Sequence, residues 1–278
     1  MLSKGHEEIQ VFCQEVRSQM RSKMHAEVRS EKLMDRPSRS SSSSTQGGAE
    51  VAGLRLLETY AGLAERGEHL FGGLVGGQLP KQWSHYPMDD AIDQDSDFHW
   101  FYHSHSPEDR PGAFEHGHIH LFARRKLWAR RLRSAREIEF SKLAGEPAST
   151  EHTRHLLAIG FDAKGLPSSL FTVNSWVTGD RMLSAGLTAE ILARLKLDTG
   201  NEAVDAVIES LTYLYREEIL ELLNHRDKTL FAWQGENVLS DEHLELLSEI
   251  AINVDEKLSL VFTTLMARNK RYSEQLKS

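Results

Sequence analysis

Imidazole is concentrated in one stretch of this sequence. Residues 98–122, FHWFYHSHSPEDRPGAFEHGHIHLF, hold six of the fourteen histidines, so a shared chemical role is the first reading. They are His99, His103, His105, His116, His118 and His120, and His85 lies shortly before them. Neutral imidazole ligates zinc, iron, copper and nickel, and a His-x-His pair on a strand aims two rings the same way. His103 with His105, and His118 with His120, are two such pairs. A three-histidine site with an open coordination position polarises a bound water or carbonyl, and with iron or copper it handles oxygen. The candidate ligands are His85, His103, His105, His116, His118 and His120. The ion they suit is a divalent transition metal, zinc or iron ahead of copper or nickel.

A strand is the element that would bring such residues together. Successive side chains of an extended chain point to opposite faces, so every second residue lines one surface at roughly 6.6 Å intervals. His99, Phe101, His103 and His105 then share a face, as do His116, His118, His120 and Phe122 on a second strand. The connection SPEDRPGAF carries two prolines and a glycine, which suit a turn and discourage a continuous strand. Paired as an antiparallel hairpin, the segments aim up to six imidazoles at one space, so His103 and His105 should matter for metal content as much as His118. Asp97, Glu108 and Glu115 are the nearest carboxylates for a mixed ligand set, although Glu115 should point away from its neighbour His116 in a regular strand. The plainer alternative is a half-buried strand whose histidines bond their neighbours. Against it, several cationic rings side by side repel, and several neutral ones need partners.

The remaining segments differ in composition. Residues 1–35 carry Ile9, Phe12, Val16 and Met20 at helical spacing, which predicts a weakly amphipathic helical segment. Residues 36–48 have the serine and glycine content of a flexible linker. Residues 49–180 are expected to form a helix plus an antiparallel-sheet domain holding the histidines, and 181–278 a helical region. The helix, over 49–72, rests on Val51, Leu54, Leu57, Leu63 and Leu70. Pro87 and the aspartates from Asp89 to Asp97 predict an irregular, solvated loop. Residues 124–136 read as a helix with Leu127, Trp128 and Leu132 on one side. Its basic side would grip phosphate or be balanced by acidic neighbours. The clearest hairpin is 155–177, where HLLAIGF and SSLFTVNSWV flank DAKGLP, with Trp176 in the core and Asn174, Thr178 and Asp180 bordering the site. His152 and His155 read as satisfied structural rings ahead of added ligands from a neighbouring strand. Beyond 180 only helix is expected, over 187–195, 202–224 and 241–270, with apolar faces for the sheet or for a second subunit.

Several function classes are disfavoured by composition. The chain has 278 residues, with 40% hydrophobic and 27% charged content, which is ordinary for a protein with a sizeable core. A formal net charge of −8 argues against general nucleic-acid binding, which needs a positive surface to displace counterions. No apolar run approaches the roughly 20 residues that cross a bilayer. The opening MLSKGHEEIQVFCQE lacks the apolar core of a secretion signal, so a cytoplasmic location is the expectation. The one cysteine, Cys13, forms no internal disulfide and leaves any metal to histidine and carboxylate. There is no nucleophile elbow, phosphate loop, dinucleotide fingerprint or His-Glu-x-x-His helix.

Two resemblances attach to these residues. His116-Gly117-His118-Ile119-His120-Leu121-Phe122 resembles the signature of the histidine-triad nucleotide hydrolases and transferases. That likeness implies His118 as a nucleophile on phosphate, supported by the outer histidines. The blocks HYP, FYHSH, EHGHIHLF and HLLAIGFDAKGLPSSLFTVNSWVTG, within 83–179, resemble an uncharacterised family of bacterial proteins. That likeness implies a bacterial source, groups His85 with the other rings and brings no activity.

The expected architecture is α+β, an antiparallel sheet of at least four strands flanked by helices, with a helical C-terminal part. The expected function is metal binding, in a metal-dependent hydrolase or oxidoreductase acting on a small molecule. Two alternatives stay open: a nucleotide hydrolase or transferase using His118, and a non-catalytic metal carrier or sensor. The expected partners are a small-molecule substrate and a second copy of the chain through the C-terminal helices, with neither nucleic acid nor membrane.

Overall fold

Six antiparallel strands lie side by side in sequence order, β1 (Tyr86–Ile92), β2 (Phe98–Ser104), β3 (Gly117–Arg124), β4 (Thr153–Phe161), β5 (Pro167–Val173) and β6 (Leu246–Ala251). This computed structural model describes residues 41–104, 115–143, 153–233 and 238–275. The expected helical segment 1–35 therefore lies outside the described residues, as do His105, Glu108 and His152. Helix α1 (Ser41–Arg66) begins inside the stretch read as a linker. Residues Thr45–Ser278 fall in one compact unit. The fold is α+β, with eight helices among the described residues, as the mixture of strand and helix periods implied.

The two faces of the sheet differ in chemistry because the strand period separates their residues. Trp100, Ile119, Leu121, Leu157, Ile159, Phe161 and Leu170 are fully buried. On that face the Trp100 indole N–H donates to Asp205 at 2.9 Å, which ties β2 to helix α6 (Glu202–Leu214). Phe71, in the turns after α1, stacks on Tyr102 at 4.0 Å and meets Phe161 edge-on at 5.0 Å. Val204, Val207, Ile208, Leu211 and Leu214 of α6 are buried at the expected helical spacing. The opposite face carries the histidines.

The β4–β5 hairpin follows its turn chemistry. Asp162 Oδ1 accepts from the backbone N–H groups of Lys164 and Leu166, both at 2.8 Å, and Gly165 supplies the left-handed φ of 76°. After β5 the four-residue helix α4 (Ser175–Thr178) is capped by the Asn174 side chain. Trp176 is not core: it is 38% exposed, with its indole N–H donating to the Leu244 carbonyl at 3.3 Å.

Further expectations are corrected. The acidic stretch is not an irregular loop; β1 forms there as an edge strand, where Pro87 costs no ladder bond, with an irregularity between Tyr86 and Ala91. Its aspartates are used locally: Asp93 accepts backbone N–H groups of Asp95, Ser96 and Asp198, and Asp97 pairs with Lys126 at 2.9 Å. The basic segment is not one helix. It supplies the end of β3, the four-residue α2 (Arg125–Trp128), a turn and the start of α3 (Ala135–Leu143). Burial of Trp128 decides this, since its N–H donates to Ala123 and the Arg154 guanidinium lies 3.9 Å over its ring.

The C-terminal part is not wholly helical either. ELLSEIA is made of helix formers, yet 246–251 pairs with β5 and closes that side of the sheet; tertiary pairing overrides propensity. The helix expected over 202–224 is two, α6 and α7 (Arg216–Ala232), meeting at Tyr215. Helix α5 (Ala185–Leu192) is capped by Ser184, and α8 (Val254–Gln275) buries Leu258, Phe262 and Leu265. Among the described residues no helix is long and apolar enough to cross a membrane.

Gly117 opens β3 opposite Ser104. A Cβ there would stand 2.5 Å from the Tyr102 hydroxyl and 2.6 Å from the His103 carbonyl oxygen. The second contact is backbone and cannot swing away. Gly117→Ala is expected to lower unfolding free energy by about 1–3 kcal/mol, the usual range for overpacking. Urea titration checks it, and an unchanged midpoint would count against this register.

Candidate functional site

Cross-strand register builds the site. His103 of β2 faces His118 of β3, Phe101 faces His120, and His99 faces Phe122. On the next strand His118 lies beside Gly160 and His120 beside Ala158. The rings of His103, His118 and His120 therefore converge on the polar face, only 8%, 4% and 1% exposed respectively. His103 Nε2 is 2.6 Å from His118 Nε2, which in turn is 2.9 Å from His120 Nε2. One ring nitrogen from each of the three lies within 4.8 Å of the others, an arrangement that can hold a metal ion.

The partners of the outer nitrogens bear on which atoms face inward. Glu115 Oε1 sits 3.1 Å from His118 Nδ1, so the carboxylate holds the proton on Nδ1 and leaves the Nε2 lone pair directed into the cluster. His120 Nδ1 sits 2.9 Å from His155 Nε2. His155 is fully buried, and desolvation, reinforced by the charge of Arg226 and by His99, lowers its pKa to about 3. His155 is therefore neutral, and in the tautomer whose Nε2 accepts the Nδ1–H of His120 the Nε2 of His120 again turns inward. One lone pair accepts one N–H, so three inward nitrogens are poorly matched to one another. A cation between them converts the lone pairs into bonds. Tetrahedral ligation at about 2.0–2.1 Å puts nitrogens about 3.3 Å apart, so the rings need to part by roughly half an ångström.

Glu115 reaches His118 because β4 leaves space. A Cβ on Gly160 would collide with the Glu115 carboxylate and the Ser169 hydroxyl. The expectation that Glu115 turns from His116 is compatible with this, because its partner is the ring three residues on. Glu115→Gln is expected to weaken metal affinity about tenfold and Glu115→Ala nearer a hundredfold, with all three rings retained. Competition with a chromogenic chelator measures it; wild-type affinity in both variants would remove Glu115 from the site.

The other described histidines of this stretch sit apart. His85 is exposed, stacks on Phe101 at 3.6 Å, and places Nδ1 3.2 Å from Asp90 Oδ1, with its ring centroid 6.2 Å from that of His103. His116 precedes β3 and is exposed, and its backbone N–H donates to Phe161. His99 stacks on Phe122 at 4.6 Å, and its Nε2 lies 4.0 Å from Asp90 Oδ2. Its buried Nδ1 has no hydrogen-bond partner among the described residues. Burial and then the positive charge of Arg124 lower the His99 pKa to about 4. A pocket of about 430 Å³ opens over the cluster, and His85, Asp90, His99, Thr178 and Asp180 line it. His155, read from the sequence as a structural ring in a neighbouring β-rich run, is the partner of His120, a pairing that spacing alone did not give.

Together these features define an α+β protein with a buried cluster of three histidines on one face of an antiparallel sheet. The chain belongs to a family described as a domain of unknown function, DUF6969, whose model matches residues 50–252. That span runs from α1 past the end of β6, so the sixth strand is part of the family's domain. No curated protein and no solved structure matches the chain.

Proposed function

We propose that this protein is a metal-dependent enzyme acting on a small molecule, with the ion held by Nε2 of His103, His118 and His120. The observation that carries this reading is the convergence of those three buried nitrogens beneath an open pocket. Three neutral imidazoles leave a position for water or substrate, and a bound zinc ion would lower the pKa of that water toward neutrality. Zinc fits better than a facial iron site. The nearest carboxylate, Glu115, meets His118 at Nδ1 and so supports a ligand rather than joining the set. Asp97 pairs with Lys126.

The nucleophile reading of His118 is less well supported. Its Nε2 faces two other rings, and among the described residues no lysine or arginine lines the pocket to receive phosphate. Elemental analysis of protein purified without an affinity tag tests the proposal. Close to one zinc or iron per chain is expected, with thermal stability lost on chelation because the ion binds only the folded state. Protein that contains no metal and binds none on addition would defeat it.

A further inference from the structure

We infer that the pocket above the histidines selects small molecules that carry a positive charge at the end remote from the metal. This rests on the metal-centre reading and adds the substrate class to it. The pocket is graded from floor to mouth. At the floor are the three buried rings; Asp90 and Asp180 are half-buried, and Glu245 is exposed. Among the described residues, every charged side chain besides histidine that lines it is acidic.

Each acid has a distinct setting. Asp90 bonds His85, Asp180 accepts the Thr153 hydroxyl, and Glu245 makes no side-chain hydrogen bond or ion pair among the described residues. Phe101, Phe122 and Phe171 supply apolar and aromatic lining beside the histidine rings, which suits a short hydrocarbon chain and tolerates an ammonium group. A second observation points to a ligand independently of the acids. His99 is more than nine-tenths buried in the pocket lining, and its Nδ1 finds no partner among the described residues. Buried polar atoms of folded proteins are nearly always satisfied, so this nitrogen is suited to a polar group that the protein does not supply. The volume of about 430 Å³ is at the small end for small-molecule sites.

A cation at the floor and carboxylates at the mouth impose opposite demands on the two ends of a ligand. The inner end is a metal-binding oxygen or nitrogen, and the outer end is an amine or a similar cation. An outer phosphate or carboxylate would meet like charge.

Three matched probes separate these demands on the zinc-loaded full chain. Caprohydroxamate, ε-aminocaprohydroxamate and adipic monohydroxamate share a zinc-binding head and differ in the charge of the tail. Calorimetric titration is expected to rank the amine about tenfold tighter than the neutral probe and the acid weaker than both. In the doubly substituted Asp180→Asn, Glu245→Gln protein the spread is expected to shrink to about twofold or less, with zinc content unchanged. Equal affinities, or the acid binding tightest, in protein that holds its zinc would overturn the inference and leave the metal centre standing. Protein without zinc under the same loading would overturn the metal centre, and this inference with it.

Discussion

Replacing His103, His118 or His120 with alanine is expected to strip the purified protein of metal, while His85→Ala and His116→Ala keep it near the wild-type level. The division follows from position. The first three present nitrogens within 4.8 Å of one another, whereas His85 is committed to Phe101 and Asp90, and His116 is exposed ahead of β3. A structural zinc site of four ligands is worth about 10–16 kcal/mol, so each ligand carries roughly 3 kcal/mol and its loss weakens binding on the order of a hundredfold or more. Alanine at these positions also leaves a hole in a buried face, so the conservative His120→Gln, which keeps bulk and a polar group, is the companion variant. Elemental analysis beside circular dichroism separates the two effects: metal lost from a folded protein is the expected result. If His85→Ala empties the protein as completely as His120→Ala, the three-nitrogen centre is the wrong set.

The hairpin that carries these rings was legible because period-two alternation is local information. His103, His118 and His120 follow it, and so do Trp100, Ile119 and Leu121 on the other face. Local pattern could not give what depends on neighbours in space. Glu115 looked badly placed relative to His116, yet the bare backbone of Gly160 across the strand opens its route to His118. His155 stood as a structural ring, but strand pairing sets its Nε2 against His120. The two missed strands failed for a similar reason. YPMDDAI has proline and aspartate where strands avoid them, tolerated on an edge, and LLSEIA has the composition of a helix until β5 offers it a ladder. The break at Tyr215 within an expected single helix has no local signal that we can name.

Acid is expected to destabilise the metal-free protein steeply, through rings that are not ligands. His99 and His155 have folded pKa values lowered to about 4 and about 3, in each case chiefly by desolvation. Arg124 adds to the first shift, and Arg226 with His99 adds to the second. In the unfolded chain both titrate near the ordinary histidine value of about 6.5. Above that value both states are neutral at these rings and the contribution is constant. Below it the unfolded chain gains two protons that the folded protein refuses until about pH 4, so stability falls as pH falls. The limiting slope for two protons is about 2.7 kcal/mol per pH unit, and integration from pH 7 to pH 5 gives roughly 3–4 kcal/mol from this pair. Denaturant unfolding at a series of pH values reads that slope directly. A His99→Gln, His155→Gln protein keeps polar side chains that do not titrate, and its curve over the same interval should be flatter by close to two protons. An unchanged slope in that variant would mean that burial of these two imidazoles does not set the acid response, and that the strand face holding them opens to water before the fold is lost.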